Sequence, residues 1–113
     1  MREDTERKKI MNKIVSKDFA ELNGTIMRTI STVFKFHWFK ISELQVAFQG
    51  LDGDEMFESL NYLEKAGYLE ARDIESKARV EIQHAEPEET EMVLSAKGIR
   101  LVKYFETDDA VNV

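Results

Sequence analysis

The stretch from Ile41 to Leu69, ISELQVAFQGLDGDEMFESLNYLEKAGYL, narrows the possible folds more than any other part of the chain. Ser42 and Gln45 stand at capping-box spacing, so a helix begins there and buries Leu44 with either Ala47 or Phe48 before Gly50 stops it. Asp52 or Asp54 caps a second helix, whose apolar side is Phe57, Leu60 and Leu63. Gly67 supplies the left-handed residue that ends it, and Tyr68, Leu69 and Ala71 continue as strand. Two short helices joined by a tight turn and followed at once by a strand predict an α+β domain. At 113 residues the chain can bury its own core, and no second domain is needed.

The flanks follow from periodicity. Residues 1 to 8 are too polar to offset the entropy of ordering and predict a mobile arm. Ile10, Met11, Ile14 and Val15 then recur at helical spacing, with Lys9, Lys13 and Lys17 elsewhere, so residues 1–17 read as a basic arm containing a short amphipathic helix. Asp18 and Glu21 repeat the capping spacing, and Leu22, Ile26, Ile30, Val33 and Phe34 give the first main helix its apolar side. Asn23-Gly24 is also a turn signal, which leaves open a restart near Thr25. Phe34, Phe36 and Trp38 alternate with Lys35 and His37, predicting a short strand that leads to Ile41. Beyond Ala71, alternating Val80 and Ile82 and a break at Pro87 predict a hairpin with an extended tip. Met92, Val93 and Leu94 form its returning strand, and Ser95 caps a last helix with Ile99, Val102 and Phe105 on one side. Residues 106–113, ETDDAVNV, are expected to fray as a flexible acidic tail, leaving 18–105 as the folded domain.

Three phrases in this order carry a family resemblance: ISELQ, LNYLEKAGYLEAR and MVLSAKGIRLV. Residues 18–105 resemble the winged helix-turn-helix domains of bacterial and archaeal transcription regulators, including the MarR-like and PadR-like groups. The resemblance implies helices with a small antiparallel β-hairpin wing and flanking N-terminal and C-terminal helices. It also implies that residues 54–66 lie in the major groove of DNA, with a homodimer reading two half-sites. Carried over position by position, the outward residues of that helix are Glu55, Glu58, Ser59, Asn61, Tyr62 and Lys65. Ser59, Asn61 and Lys65 suit DNA, whereas Asp54, Glu55, Glu58 and Glu64 oppose phosphate.

Charge sharpens that conflict. The formal charge is −6, but from Gly50 to Glu91 there are thirteen acidic residues against four basic ones, where a DNA reader is ordinarily positive. Residues 1–17 are the basic counterpart, with six cations and three acids. The leading expectation is a cytoplasmic, dimeric DNA-binding regulator. It would use Arg7, Lys8, Lys9 and Lys13 on the arm, Arg72, Lys77 and Arg79 on the hairpin, and Ser59, Asn61 and Lys65 on the second turn helix. Its dimer contacts would come from the N-terminal amphipathic helix and from Ile99, Val102 and Phe105. The alternative expectation is a protein-interaction module whose acidic face, Glu55, Glu58, Glu64 and Glu70, docks on a basic partner, with Trp38 as an interface anchor.

Other chemistries lack their residues. The chain has no cysteine, so thiolate catalysis and thiolate metal sites are out, and two histidines as distant as His37 and His84 make no zinc motif. In LDGDEMFESL, Met56 and Phe57 occupy positions where an EF-hand loop needs an oxygen ligand and a glycine, so the aspartates read as caps. Neither a nucleophile elbow nor a phosphate-binding glycine loop occurs. The expectation is a non-enzyme without metal or cofactor. No run of about 18 apolar residues is present and the N-terminus lacks the apolar core of a signal peptide, so no membrane partner is expected.

Overall fold

A computed structural model describes residues 2–113, with side chains from residue 5 onward; Met1, part of the expected arm, lies outside the described residues. Helix α1 (Arg2–Thr29) is a single 28-residue element. The arm, the amphipathic helix and the first main helix expected from sequence are therefore one rod, uninterrupted at residues 17–18 and at Asn23-Gly24. Lys, Arg, Glu and Met dominate its first half and no proline intervenes, so local propensity never falls far enough to break it.

Gly24 weakens a helix interior by about 1 kcal/mol, but it opens a notch that the C-terminus fills. A Cβ at this position would stand 1.8 Å from the backbone oxygen of Asn112. Around the notch the Asn23 amide donates to the Ala110 carbonyl at 2.9 Å, and the Arg28 guanidinium donates to the Asn112 carbonyl at 2.9 Å. The Asn112 N–H donates to the Ala20 carbonyl at 2.9 Å, and Val111 is buried. Residues 106–113, expected to fray, are thus a docked strap. Of the two sequence readings, a helix running through Asn23-Gly24 or a restart near Thr25, the continuous helix is the one formed, and the glycine serves a contact distant in the chain.

The helix widens into a π turn over Ile30–Phe34, closed by Lys35 at φ 56°, whose N–H donates to the Ile30 carbonyl at 2.9 Å. The turn stacks Phe34 on Phe39, ring centroids 4.2 Å apart. This packing replaces the strand expected over residues 34–38. Only β1 (Phe39–Lys40) pairs, with Phe39 opposite Met92 and Lys40 opposite Glu91.

Helix α2 (Ile41–Ala47) starts one residue before Ser42, and the Lys40 N–H, not a serine cap, is received by the Glu43 carboxylate. Gly50 follows at φ 93°, and α3 (Gly53–Lys65) is capped by Asp52, which accepts from the Asp54 N–H at 3.0 Å. Met56, Leu60 and Leu63 are buried and Phe57 is half-buried. Gly67, at φ 89°, turns the chain into β2 (Leu69–Asp73). Strand β3 (Thr90–Leu94) returns antiparallel, from Leu69 opposite Leu94 to Asp73 opposite Thr90, giving the sheet order β1-β3-β2.

The segment between these strands does not extend. Residues 78–80 fold back along the outer edge of β2, where the Asp73 N–H donates to the Ala78 carbonyl and the Val80 N–H to the Ala71 carbonyl. A short 3-10 turn (Ile82–His84) then buries Ile82, whose N–H donates to the Glu64 carboxylate of α3 at 3.1 Å. The extended tip expected from alternating Val80 and Ile82 is therefore corrected to a flap held down by an apolar plug.

Helix α4 (Ala96–Val102) is capped by Ser95, which accepts from the Gly98 N–H at 3.0 Å and donates to the Gly67 carbonyl. Gly98 lets α4 sit against the start of β2, since a Cβ there would meet the Tyr68 carbonyl at 2.2 Å. The core joins the second half of α1 (Ile26, Met27, Ile30) to α2, α3, one face of the sheet and Leu101. Among the described residues no helix is long and apolar enough to cross a membrane.

Candidate functional site

The ribbon cations expected to meet phosphate are engaged within the chain. Arg72 lies over the Trp38 ring at 3.6 Å from its centroid, and its Nε donates to Glu91 at 2.6 Å. Lys77 reaches the same carboxylate at 3.1 Å, and Arg79 pairs with Glu70 at 3.2 Å. Burial tends to raise the Glu91 carboxyl, but the two cations outweigh it and hold its pKa below the ordinary value. Trp38, expected as an interface anchor, is half-buried with the Arg72 guanidinium over its ring.

The α3 candidates divide. Ser59 is fully buried and its hydroxyl has no partner among the described residues, so its expected outward position is corrected. Asn61 is half-buried with its Oδ1 enclosed. The Tyr62 hydroxyl is tied to Asp108 at 2.9 Å, and Glu64 holds the flap through Ile82. Ser59 is covered from the side of α1, whereas Tyr62 and Glu64 are engaged by the strap and the flap, both read as loose from sequence. The exposed remainder is Asp54, Glu55, Glu58 and Lys65.

Asp108 is the anchor of the strap. One of its oxygens accepts from Tyr62 at 2.9 Å and Tyr68 at 2.7 Å, and the other from the Ala110 N–H at 2.9 Å. Burial works to raise its pKa, and the donors from Tyr68, Ala110 and Tyr62 lower it further than burial raises it. Both tyrosines move upward, chiefly through burial and then through the bond to Asp108.

Beside this assembly, α1 and α3 enclose a groove of about 520 Å³. Phe19, Leu22 and Leu51 supply apolar lining and Ser59 lies at its base. Asp18, Glu21, Glu55 and Glu58 stand around it, all exposed and none ion-paired among the described residues. Asp18 and Glu21 were not candidates from sequence, where they read as a helix start; only their spacing on a continuous α1 places them beside Glu55 and Glu58.

The cations of α1, namely Arg7, Lys8, Lys9 and Lys13, are exposed. Ile10, Met11, Ile14 and Val15 are uncovered as well, at 58%, 59%, 49% and 62%. At about 100° per residue, these four share one side of α1 with Asp18, Leu22 and Thr25, so the apolar row leads directly into the groove. Arg7 falls on that same side with Lys8 on its flank, whereas Lys9 and Lys13 point away. Of the residues expected at a dimer contact on α4 and just beyond it, Ile99 and Val102 pack against the core and only Phe105 is open, at 72%. Among the described residues no group of three or more His, Asp or Glu is arranged to hold a metal. A scan against protein-family models and searches of curated proteins and of solved structures return no match for this chain.

Proposed function

We propose that this chain is a winged helix-turn-helix domain that works by protein contact, receiving a basic amphipathic helix in the acidic groove between α1 and α3. Support for the winged-helix reading is the order α1-β1-α2-α3-β2-β3-α4, with α2 and α3 joined through Gly50 and the strands ordered β1-β3-β2. One observation carries the protein-contact reading: four unpaired carboxylates surround an apolar floor, while the ribbon cations are already neutralised. A polyanion approaching this face meets like charge. A helix with an apolar stripe and flanking lysines instead buries its stripe on Phe19, Leu22 and Leu51 and sets its cations beside the rim, each exposed pair adding up to about 1 kcal/mol.

The test is fluorescence anisotropy with a labelled lysine–leucine amphipathic helical peptide. Binding is expected to weaken about tenfold or more in Glu55→Lys/Glu58→Lys, and to weaken with added salt. Equal binding by that variant would sink the reading.

A second reading, contact with DNA, is favoured by a separate observation: Lys9 and Lys13 lie one turn apart on the side of α1 facing away from the groove. It expects weak, sequence-independent binding of duplex at low salt, abolished in Lys9→Glu/Lys13→Glu, with a shallow salt slope because few phosphates are engaged. Undetectable binding at low salt would eliminate it.

A further inference from the structure

We propose that the helix received by the groove is the first half of α1 from a second copy of this chain, the two α1 helices running antiparallel. This rests on the protein-contact reading above and names its partner. The chain carries both complementary surfaces. Its groove is acidic at the rim and apolar at the floor, through Asp18, Glu21, Glu55 and Glu58 over Phe19 and Leu22. Its uncovered half-helix is apolar along Ile10, Met11, Ile14 and Val15 and basic at Arg7 and Lys8.

One copy cannot satisfy itself. Because α1 is an unbroken rod, its first half cannot fold back onto its second. Residues 5–17 span about 20 Å along the helix axis, and the molecule measures 56 × 30 × 23 Å, long in one direction. The uncovered row and the groove share one side of α1 and meet at Val15, so a two-fold axis near Ser16 brings the row of each copy over the groove of the other. Charge selects the direction. Parallel packing would set Arg7 and Lys8 against their own counterparts, a repulsive arrangement, whereas antiparallel packing carries them toward the partner's carboxylates. The contact is isologous, so it forms twice and closes at two copies.

A charge-swap mixture tests this, read by sedimentation equilibrium at low and high salt with circular dichroism as the folding control. The full chain is expected to dimerise, more weakly as salt rises. Arg7→Glu/Lys8→Glu and Glu55→Lys/Glu58→Lys are each expected to dissociate by at least tenfold relative to the unaltered chain. Mixed in equal amounts they are expected to regain a dimer, because each groove then faces a half-helix of opposite charge. All four positions are exposed, so both variants should keep the fold. Failure of the mixture to recover association, or wild-type association in either variant, would overturn the proposal. A chain that stays monomeric at roughly 100 µM, where a contact worth about 5 kcal/mol would begin to show, would also overturn it. If that monomer still takes up the lysine–leucine peptide, the groove reading survives and only the identity of its occupant is lost; if it does not, both fall.

Discussion

The two ends of this chain contrast in the opposite sense to their hydrophobicity. The last eight residues, ETDDAVNV, carry only Ala110 and two valines as apolar residues, yet they are held by Asn23, Arg28 and Ala20 on α1 and by Tyr62 and Tyr68 at Asp108. Residues 10–15 hold four large aliphatic side chains and touch no core. Apolar content thus failed to predict which end is fixed. A notch without a Cβ and polar groups placed to receive backbone atoms decided it, because an extended strap docks through its main chain.

The largest expected disturbance of this contrast is Val111→Asp, which puts a charge into the buried seat of the strap. It should destabilise by roughly 3 to 4 kcal/mol, read as a lower urea midpoint at unchanged fold. Next is Gly24→Ala. In an ordinary helix interior this change stabilises by about 1 kcal/mol, but here the methyl collides with the Asn112 backbone and should cost about 2 kcal/mol net. A raised melting temperature for this variant would show that the strap does not need the notch.

Asp108→Asn should cost about 1 to 2 kcal/mol near neutral pH by weakening the bonds from Tyr62 and Tyr68. Because the folded pKa of Asp108 is depressed, its contribution is present above the ordinary carboxyl value near pH 4 and is lost as pH falls through the lower folded value. The gap between variant and wild type should therefore close in acid. The tyrosines behave in reverse. Their pKa values are raised, so their share is complete below about pH 10 and disappears only in stronger alkali. Denaturant titrations from about pH 2 to 10 would check that the Asp108 gap closes in acid while the tyrosines' share persists to the alkaline end.

The smallest change is expected at the other end. Ile14→Ala in dilute protein should shift stability by no more than about 0.5 kcal/mol, against roughly 2 to 5 kcal/mol for Ile26→Ala on the buried part of the same helix. Equal costs at the two positions would mean that residues 10–15 are covered even in the isolated chain.

Much of the architecture was readable from local rules. Asp52 and Gly67 bound α3, Leu60 and Leu63 face inward, Met92–Leu94 forms the returning strand and Ser95 caps α4, each for a reason contained within a few residues. The failures all involve distant partners. The purpose of Gly24 stays hidden unless Asn112 is known to lie against it, and Ser59 reads as outward unless the groove is seen to enclose it. The alternation of Phe34, Phe36 and Trp38 imitates a strand, although the stacking of Phe34 on Phe39 demands a compact turn. The candidate groove was half legible. Glu55 and Glu58 stood out by density, whereas Asp18 and Glu21 join them only through the continuity of α1.

The flap along β2 has a bearing on what the molecule avoids. With residues 78–80 occupying the outer rim of that strand, and β1 only two residues long, little main chain is left exposed to recruit a foreign strand. Fibril growth by successive strand addition is correspondingly hindered, so crowding this protein should yield discrete particles instead of filaments.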